Sequence, residues 1–229
     1  GVHETCAIID SPSIRGRVEC WTLGYDGEVH DLVPIAQGAV EVAVGEHHGC
    51  VRSEDDSVRC WGKNVGGETG KAEYGEAMFP VRITGLEGPI AIRASKTTSC
   101  AILRDRTVRC WGALTTSNSV PVITSVPRPI EGLVGVQALT LGVGFGCARM
   151  KDEVRCFGDD SAGQLARARI LSNETPQRLP LTDIVDLAVG ADHTCARAKD
   201  GTVSCWGGSD CNQVGLGVST PRVITKVPN

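Results

Sequence analysis

Short stretches of alternating apolar and polar residues run along the whole chain, separated by Gly, Pro, Asn and Asp. A period of two over a few residues is typical of β-strands with one buried face, and the residues between the stretches favour turns. No long window sustains the 3.6-residue period of an amphipathic helix. The pattern therefore predicts an all-β protein built from short antiparallel strands.

The strands recur as a repeated unit. The phrase GADHTCARAKDGTVSCWG at 190–207 has counterparts of equal length at 45–62 and 95–112, and looser ones at 1–22 and 142–158. The first cysteine of the phrase lies at positions 6, 50, 100, 147 and 195, which gives five units of about 46 residues each. Self-similarity at this period indicates a repeat architecture.

Each unit contains about four predicted strands: two around the cysteines, a Pro-led stretch such as FPVRITGL at 79–86, and a β-branched run such as IVDLAVG at 184–190. Four strands in 40–50 residues are typical of one propeller blade. We expect a β-propeller, or a propeller segment, of about five four-stranded antiparallel blades, either complete or part of a larger ring. A solenoid of stacked turns is the alternative, although it favours shorter repeats. The predicted organisation is a single repeat domain over 1–229, with repeats at about 1–44, 45–94, 95–141, 142–189 and 190–229.

The two cysteines of each unit flank a hairpin, whose turn is most recognisable at Asp200-Gly201. Positions equally far from a hairpin turn face each other, with Cα atoms about 4.5–5.5 Å apart, and a disulfide can span that distance. Two other interpretations stay open: reduced cysteines packed as small apolar residues, and zinc ligands, although no C-x-x-C occurs. Cys211 is left over and is expected to be a free or interchain thiol. The predicted disulfides are Cys6–Cys20, Cys50–Cys60, Cys100–Cys110, Cys147–Cys156 and Cys195–Cys205.

The composition indicates the compartment in which the protein works and the classes of partner that it is expected to bind. Eleven cysteines in 229 residues predict an oxidising compartment, so we expect an extracellular or cell-surface location, or the periplasm. A net charge of −4 gives no general reason to bind nucleic acid or an anionic membrane. No apolar run is long enough to insert into a membrane. The chain is expected to work alone or as part of a larger chain or assembly.

The best-formed unit, residues 190–217, reads G-x-x-H-T-C-A-x-x-x-D-G-x-V-x-C-W-G followed by a loop ending in Q-x-G-x-G. It resembles the repeat of the regulator of chromosome condensation superfamily. Residues 45–70 are close to the same pattern, whereas 1–39 are degenerate and 113–125 lack the Gly-Gln element. The resemblance implies a β-propeller, commonly of seven blades, and the cysteine-paired versions look like those of secreted bacterial proteins.

Aromatic residues recur directly after the second cysteine. We interpret them as blade-packing residues with locally bonded indole nitrogens; the alternative is an aromatic ring around a ligand or chromophore. His48 and His193 share a repeat position that holds other residues in the remaining units, so no symmetric metal site is predicted. The blade-packing residues are Trp21, Trp61, Trp111, Phe157 and Trp206.

No catalytic motif, cofactor site or metal site is predicted. We expect a non-catalytic protein-binding propeller that serves as a structural or adhesive component or as an interaction module. Its protein partner would contact variable loop tips, including the loop 71–79 and the insertion 113–120. One alternative is a secreted inhibitor of an enzyme, like the propeller-type β-lactamase inhibitor of this family. Another is a nucleotide-exchange factor for a small GTPase, which the paired cysteines and the acidic pI disfavour. The predicted partner-binding residues in the turns before the first cysteines are Glu46, His47, Lys96, Phe145, Ala191 and Asp192.

Overall fold

The structure is a computed structural model that describes residues 4–11, 14–23, 29–115, 121–166, 176–210, 212–214 and 224–227. These residues form nineteen β-strands in five antiparallel sheets. Within the described ranges no helix has the length and apolar character of a membrane span. Cys211 and most of the predicted insertion 113–120 lie outside the described residues, as does most of the loop before the fourth strand of the last sheet.

The chain divides into two compact units, and the first comprises 1–104, 108–113 and 123–129. Its first sheet has the order β1–β2–β3, with strands Glu4–Ser11, Ile14–Leu23 and Val29–Ala36. Its second sheet has the order β4–β5–β6–β7, with strands Ala39–Val44, His48–Ser53, Val58–Asn64 and Gly75–Arg82. Most of the third sheet also belongs here, in the order β8–β9–β10–β11, with strands Pro89–Ser95, Thr98–Leu103, Val108–Thr115 and Pro121–Pro129.

The second unit comprises 105–107, 114–122 and 130–229. Its first sheet has the order β12–β13–β14–β15, with strands Ala138–Leu141, Phe145–Arg149, Val154–Gly158 and Gln177–Arg178. Its second sheet has the order β16–β17–β18–β19, with strands Ile184–Val189, His193–Ala198, Val203–Gly207 and Thr225–Lys226. Four of the five sheets are thus four-stranded meanders, which confirms the predicted antiparallel all-β fold.

The sheets are offset from the repeats predicted by sequence comparison. In each four-stranded sheet the β-branched run comes first, the two cysteine strands follow, and the Pro-led strand is last. The β-branched run therefore pairs with the cysteine hairpin that follows it, because the short turn between them lets the two strands pair directly. The sheets consequently begin at Ala39, Pro89, Ala138 and Ile184, a few residues before the cysteine phrases.

Each predicted cysteine pair is a disulfide in the structure. The strand register places the two cysteines of every pair directly opposite each other, as in Cys50↔Cys60 and Cys195↔Cys205. The Cα atoms of the five pairs are 4.0–4.1 Å apart. Both cysteines of the hairpin β5–β6 are buried. Each blade hairpin is therefore covalently closed at its centre.

The hairpin turns are held by an aspartate at their first position. A carboxylate oxygen of Asp55 accepts from the Ser57 N–H at 3.0 Å, and Asp200 accepts from the Thr202 N–H at 2.9 Å. Hydrogen bonds from Ser57 lower the pKa of Asp55, and those from Thr202 lower the pKa of Asp200. The next residue has positive φ, 59° at Asp56 and 87° at Gly201, which Asp and Gly tolerate.

The core lies between neighbouring sheets. In the first unit, the Cys50–Cys60 pair packs with Ile83, Ile92 and Trp111, which come from two sheets. In the second unit, a cluster of the same kind includes Phe145, Leu165 and Trp206. One sheet cannot bury both its faces, so stacking on its neighbour is what stabilises each blade.

Candidate binding surface

Two connections lie at the same end of each four-stranded sheet. In an antiparallel meander, the turn between the first and second strands and the loop between the third and fourth strands share one end. We call the first the A–B turn, residues 45–47 in the second sheet, and the second the C–D loop, residues 65–74 in that sheet. Any partner that approaches this end of a sheet therefore meets both connections.

The A–B turns are fixed by backbone hydrogen bonds. The Gly45 N–H donates to the His48 carbonyl at 2.7 Å, and the Lys63 N–H of the third strand donates to the His47 carbonyl at 2.8 Å. Within the first unit, the Glu46 N–H also donates to the Lys96 carbonyl of the next turn at 3.1 Å. A surface formed by such turns loses little conformational entropy on binding a partner.

The second unit repeats this arrangement. The Gly190 N–H donates to the His193 carbonyl at 2.9 Å, and the Val143 N–H donates to the Ala191 carbonyl of the next turn at 2.8 Å. The Gly208 N–H donates to the Asp192 carbonyl at 2.8 Å. Neighbouring turns are thus bonded to each other within both units.

Five of the six predicted turn residues reach the surface. His47, Lys96 and Ala191 are exposed, and Glu46 and Asp192 are half-buried. Whether they contact a partner stays a prediction.

For the sixth residue, Phe145, the structure contradicts the predicted exposure, because its side chain is only 3% exposed. The Gly142 N–H donates to the Phe145 carbonyl at 2.9 Å, so the turn closes before Phe145, which is the first residue of β13. Phe145 therefore occupies the repeat position of His48 and His193 and packs in the core of the second unit. It cannot serve as an exposed contact.

The shared histidine position is internal in the second sheet. His48 is completely buried, and its Nε2 lies 2.8 Å from Ser99 Oγ of the neighbouring sheet. Ser99 Oγ also lies 3.4 Å from Cys50 Sγ. Burial lowers the pKa of His48 to about 4, although a hydrogen bond with the Lys96 backbone opposes the shift. A neutral His48 thus links two blades through hydrogen bonds.

Three tryptophans, Trp61, Trp111 and Trp206, connect their blade to the preceding one. Trp111 is fully buried and its Nε1–H donates to the Glu68 carbonyl at 2.9 Å, across the boundary between two sheets of the first unit. Trp206 is equally buried and donates to the Gln164 carbonyl at 2.7 Å in the second unit. The indole partner is therefore distant in sequence, unlike the local partner that we expected.

The remaining aromatic positions vary in burial. Trp61 is buried and its Nε1–H donates to Glu4 Oε1 at 3.2 Å, while Phe157 is buried and Trp21 is half-buried. The buried aromatic residues pack between neighbouring blades, as we predicted for blade-packing residues, and do not line an exposed surface.

Sequence reasoning missed the role of Glu68 and Gln164, which occupy the same place in two C–D loops. Glu68 Oε2 accepts from the Gly66 N–H at 2.5 Å, and Gln164 Oε1 accepts from the Ala162 N–H at 2.9 Å. Each residue therefore holds its own loop with its side chain and the next tryptophan with its carbonyl. The Gly-Glu or Gly-Gln pair of the repeat marks these residues in the sequence. The tryptophan that donates to each of them lies more than forty positions away, so the sequence does not show the bond.

Large apolar side chains are exposed at the end of the C–D loop of the second sheet. Tyr74 is 71% exposed, Met78 81% and Phe79 78%. Met78 and Phe79 lie in β7 where its register with β6 shifts, between Ala77 and Val81, and β7 is the last strand of its sheet. Large apolar side chains exposed together in one short segment are typical of interaction sites. They fall within the predicted partner-binding loop 71–79.

One group of possible metal ligands occurs among the described residues, namely Glu4, Cys6 and Cys20. The two cysteines form a disulfide, so neither offers a thiolate. We therefore propose no metal site at these residues.

The chain is similar to proteins built from the same repeat. The pattern of the regulator of chromosome condensation (RCC1) repeat matches residues 39–68 and 184–213. Among solved structures, yeast RCC1 (Prp20) bound to Kap60 aligns with all of the chain and 60% of its own chain, at a TM-score of 0.83 and 17% identity. Human WBSCR16 aligns with 89% of the chain and 56% of its own, at a TM-score of 0.72 and 20% identity. The fold is that of a propeller segment.

Curated relatives are larger proteins. The human probable E3 ubiquitin-protein ligase HERC6 is 29% identical over 80% of this chain, and human E3 ubiquitin-protein ligase HERC2 is 26% identical over 90%. The matched regions make up 20% and 5% of those proteins, so the chain spans a fifth or less of their length. With the repeat match and the fold, these findings define a β-propeller repeat protein. The chain contains two matches to the RCC1 repeat, at 39–68 and 184–213, and its fold is similar to that of RCC1 propellers.

Proposed function

We propose that this chain is a non-catalytic protein-binding propeller that works outside the cell or at its surface. The observation that carries the proposal is the exposed apolar group of Tyr74, Met78 and Phe79 beside a hydrogen-bonded A–B turn. Aromatic residues and methionine are enriched at protein interfaces, and their burial supplies binding energy with little ordering of the backbone. The partner would be a protein with an apolar surface.

Similar proteins support a protein partner in general terms. Yeast RCC1 (Prp20) was crystallised with Kap60, and the structure of Prp20p was described with its binding properties to Gsp1p and histones. We carry over only the type of interaction, because the identity to these proteins is 16–17%. A structural or adhesive module fits the exposed surface as well as a secreted inhibitor does.

The proposed location, outside the cell or at its surface, is based on the disulfide bonds. Five disulfides in a chain of this size require an oxidising environment to form and persist. We expect thiol titration of the denatured, unreduced protein to find about one reactive thiol, from Cys211. Ten or more thiols would place the protein in a reducing compartment and would favour the exchange-factor alternative.

The binding proposal is tested by capture of a partner from extracellular material and measurement of its affinity by interferometry. We expect the double variant M78S/F79S to lose at least tenfold in affinity, since hot-spot residues each contribute about 1–2 kcal/mol or more. The matched control is Val134→Ser, which removes another exposed apolar side chain, 69% exposed, from a loop before β12. Equal losses in both variants would show that Met78 and Phe79 have no special role.

A further inference from the structure

Basic residues recur at two repeat positions that the proposed function does not use. Arg59, Arg109 and Arg155 precede the second cysteine of their units, and Ser204 replaces them in the last. Every Pro-led strand also carries one cation, namely Arg82, Arg128, Arg178 and Lys226. A chain with a net charge of −4 thus places cations at regular intervals on the third and fourth strands of its sheets.

The strand register brings two of these cations face to face. Arg59 lies directly opposite Arg82 in the second sheet, and Arg155 lies opposite Arg178 in the fourth. Directly opposed residues of neighbouring strands point to the same side, and like charges there destabilise a sheet. Val58 and Ile83, the neighbours of the first pair along the strands, are buried, so the arginines point outward. We call Arg59–Arg82 and Arg155–Arg178 the arginine pairs.

Each arginine pair has a carboxylate beside it that does not balance both charges. Glu153 accepts from Arg155 Nε at 2.8 Å, and its other oxygen lies 3.3 Å from Arg178 Nε. In the second sheet, Arg59 and Arg82 both contribute to the lowered pKa of Asp55, after its hydrogen bonds with Ser57. In the fourth sheet, two arginines thus share one carboxylate, which leaves one positive charge at that pair. The side chain of Arg178 is 65% exposed.

We propose that each arginine pair binds an acidic segment of a protein partner, with an Asp or Glu carboxylate held by the two guanidinium groups of that pair. Glu153 shows within this chain that a carboxylate fits against both members of a pair. The planar guanidinium also matches a carboxylate bidentately. The proposal rests on the proposed function, since it takes the partner to be a protein, but it uses a different surface from Met78 and Phe79.

The test measures fluorescence anisotropy of a labelled peptide of eight glutamates with the full chain, and of the same peptide with glutamines. We expect the glutamate peptide alone to bind, with an affinity that falls as salt is raised. Arg82→Gln and Arg178→Gln should each weaken binding about three- to fivefold, and the double variant should weaken it more. The control is Arg104→Gln, which removes the same charge from a side chain that is 73% exposed and bonded to Asp56, and it should change affinity less than about twofold.

Three outcomes would overturn the inference. If R104Q weakens binding as much as R82Q, the effect is only one of net charge. If heparin or duplex DNA competes more tightly than the peptide, and the same variants abolish that competition, the pairs serve a different polyanion. If the double variant aggregates with its peptide affinity unchanged, the arginines only protect exposed strand edges. Partner capture by the unmodified chain without peptide binding would remove this inference and leave the proposed function in place.

Discussion

The cysteine hairpin β5–β6 and the outer strand β7 belong to the same sheet but have opposite surroundings. Of the six residues in β5, five are buried, whereas in β7 only Ala77 is buried. The hairpin residues recur in every unit, as cysteines, turn aspartates and aromatic residues, while the run Tyr74, Met78 and Phe79 occurs once. Repeated residues therefore build the scaffold, whereas the exposed apolar side chains that we propose as a binding surface do not repeat.

The sharpest test of this contrast removes one large side chain from a cysteine hairpin, in β10 of the third sheet, and one from β7. Trp111→Ala should destabilise the protein by about 3–5 kcal/mol, because it creates a cavity and leaves the Glu68 carbonyl without its donor. Met78→Ala should change stability by less than about 0.5 kcal/mol, since Met78 is 81% exposed. Urea unfolding followed by circular dichroism measures both, and equal losses would contradict the division into scaffold and surface.

A second test opens the hairpin itself. The double variant C50A/C60A should lose about 3 kcal/mol, because a disulfide that closes a loop of about ten residues restricts the unfolded chain by that amount. Urea unfolding of the purified variant without reductant gives the value. A loss below 1 kcal/mol would mean that strand pairing and packing alone hold this hairpin.

Much of the scaffold could be predicted from sequence because its signals are local. Period-two alternation gives the strands, and the equal spacing of Cys50 and Cys60 from the turn at Asp55 gives their facing register. The blade boundaries could not be predicted in this way, since the pairing of Ala39–Val44 with the following hairpin leaves no mark in the repeat phrase.

The binding surface was less predictable, because burial depends on distant contacts. Phe145 was predicted to lie in an exposed turn, yet it occupies the repeat position of His48 and a hydrogen bond from Gly142 closes the turn before it. Most of the predicted partner-binding loop 71–79 is exposed, but Ala77 is buried and residues 75–79 belong to β7. The acceptor role of Glu68 requires the next blade, which no local pattern shows.

A third test concerns the buried histidine of the hairpin. The folded pKa of His48, about 4, lies below the ordinary 6.5, so folding favours the neutral ring. The stability that this provides is complete above pH 6.5 and is lost as the pH falls through 4, a change of about 2–3 kcal/mol between pH 7 and pH 4.

His48→Thr should remove most of that pH dependence, because Thr98 occupies the same repeat position with an uncharged side chain. The matched control is His193→Thr, the same substitution at a half-buried position of another unit. Urea unfolding at pH 7, 5.5 and 4 measures the slope. If both variants keep the parent slope, His48 does not control acid sensitivity.

The smallest expected effect on stability concerns the two C–D loops that contain Glu68 and Gln164. Glu68 uses both carboxylate oxygens as acceptors, from the Val65 N–H at 3.2 Å and the Gly66 N–H at 2.5 Å. Gln164 accepts through Oε1, while its Nε2 donates to Asp159 at 3.3 Å. Lys63 stands at the repeat position of Asp159, so an amide at 68 would lose one acceptor without gaining a partner.

Glu68→Gln should therefore cost about 1 kcal/mol, the typical contribution of one hydrogen bond, in urea unfolding. The double variant E68Q/K63D should recover most of that loss, because an aspartate at 63 supplies the acceptor that Asp159 provides in the other loop. Lys63→Asp alone serves as the reference for the double-mutant cycle. A coupling energy near zero would show that the residue at 63 does not decide between Glu and Gln at 68.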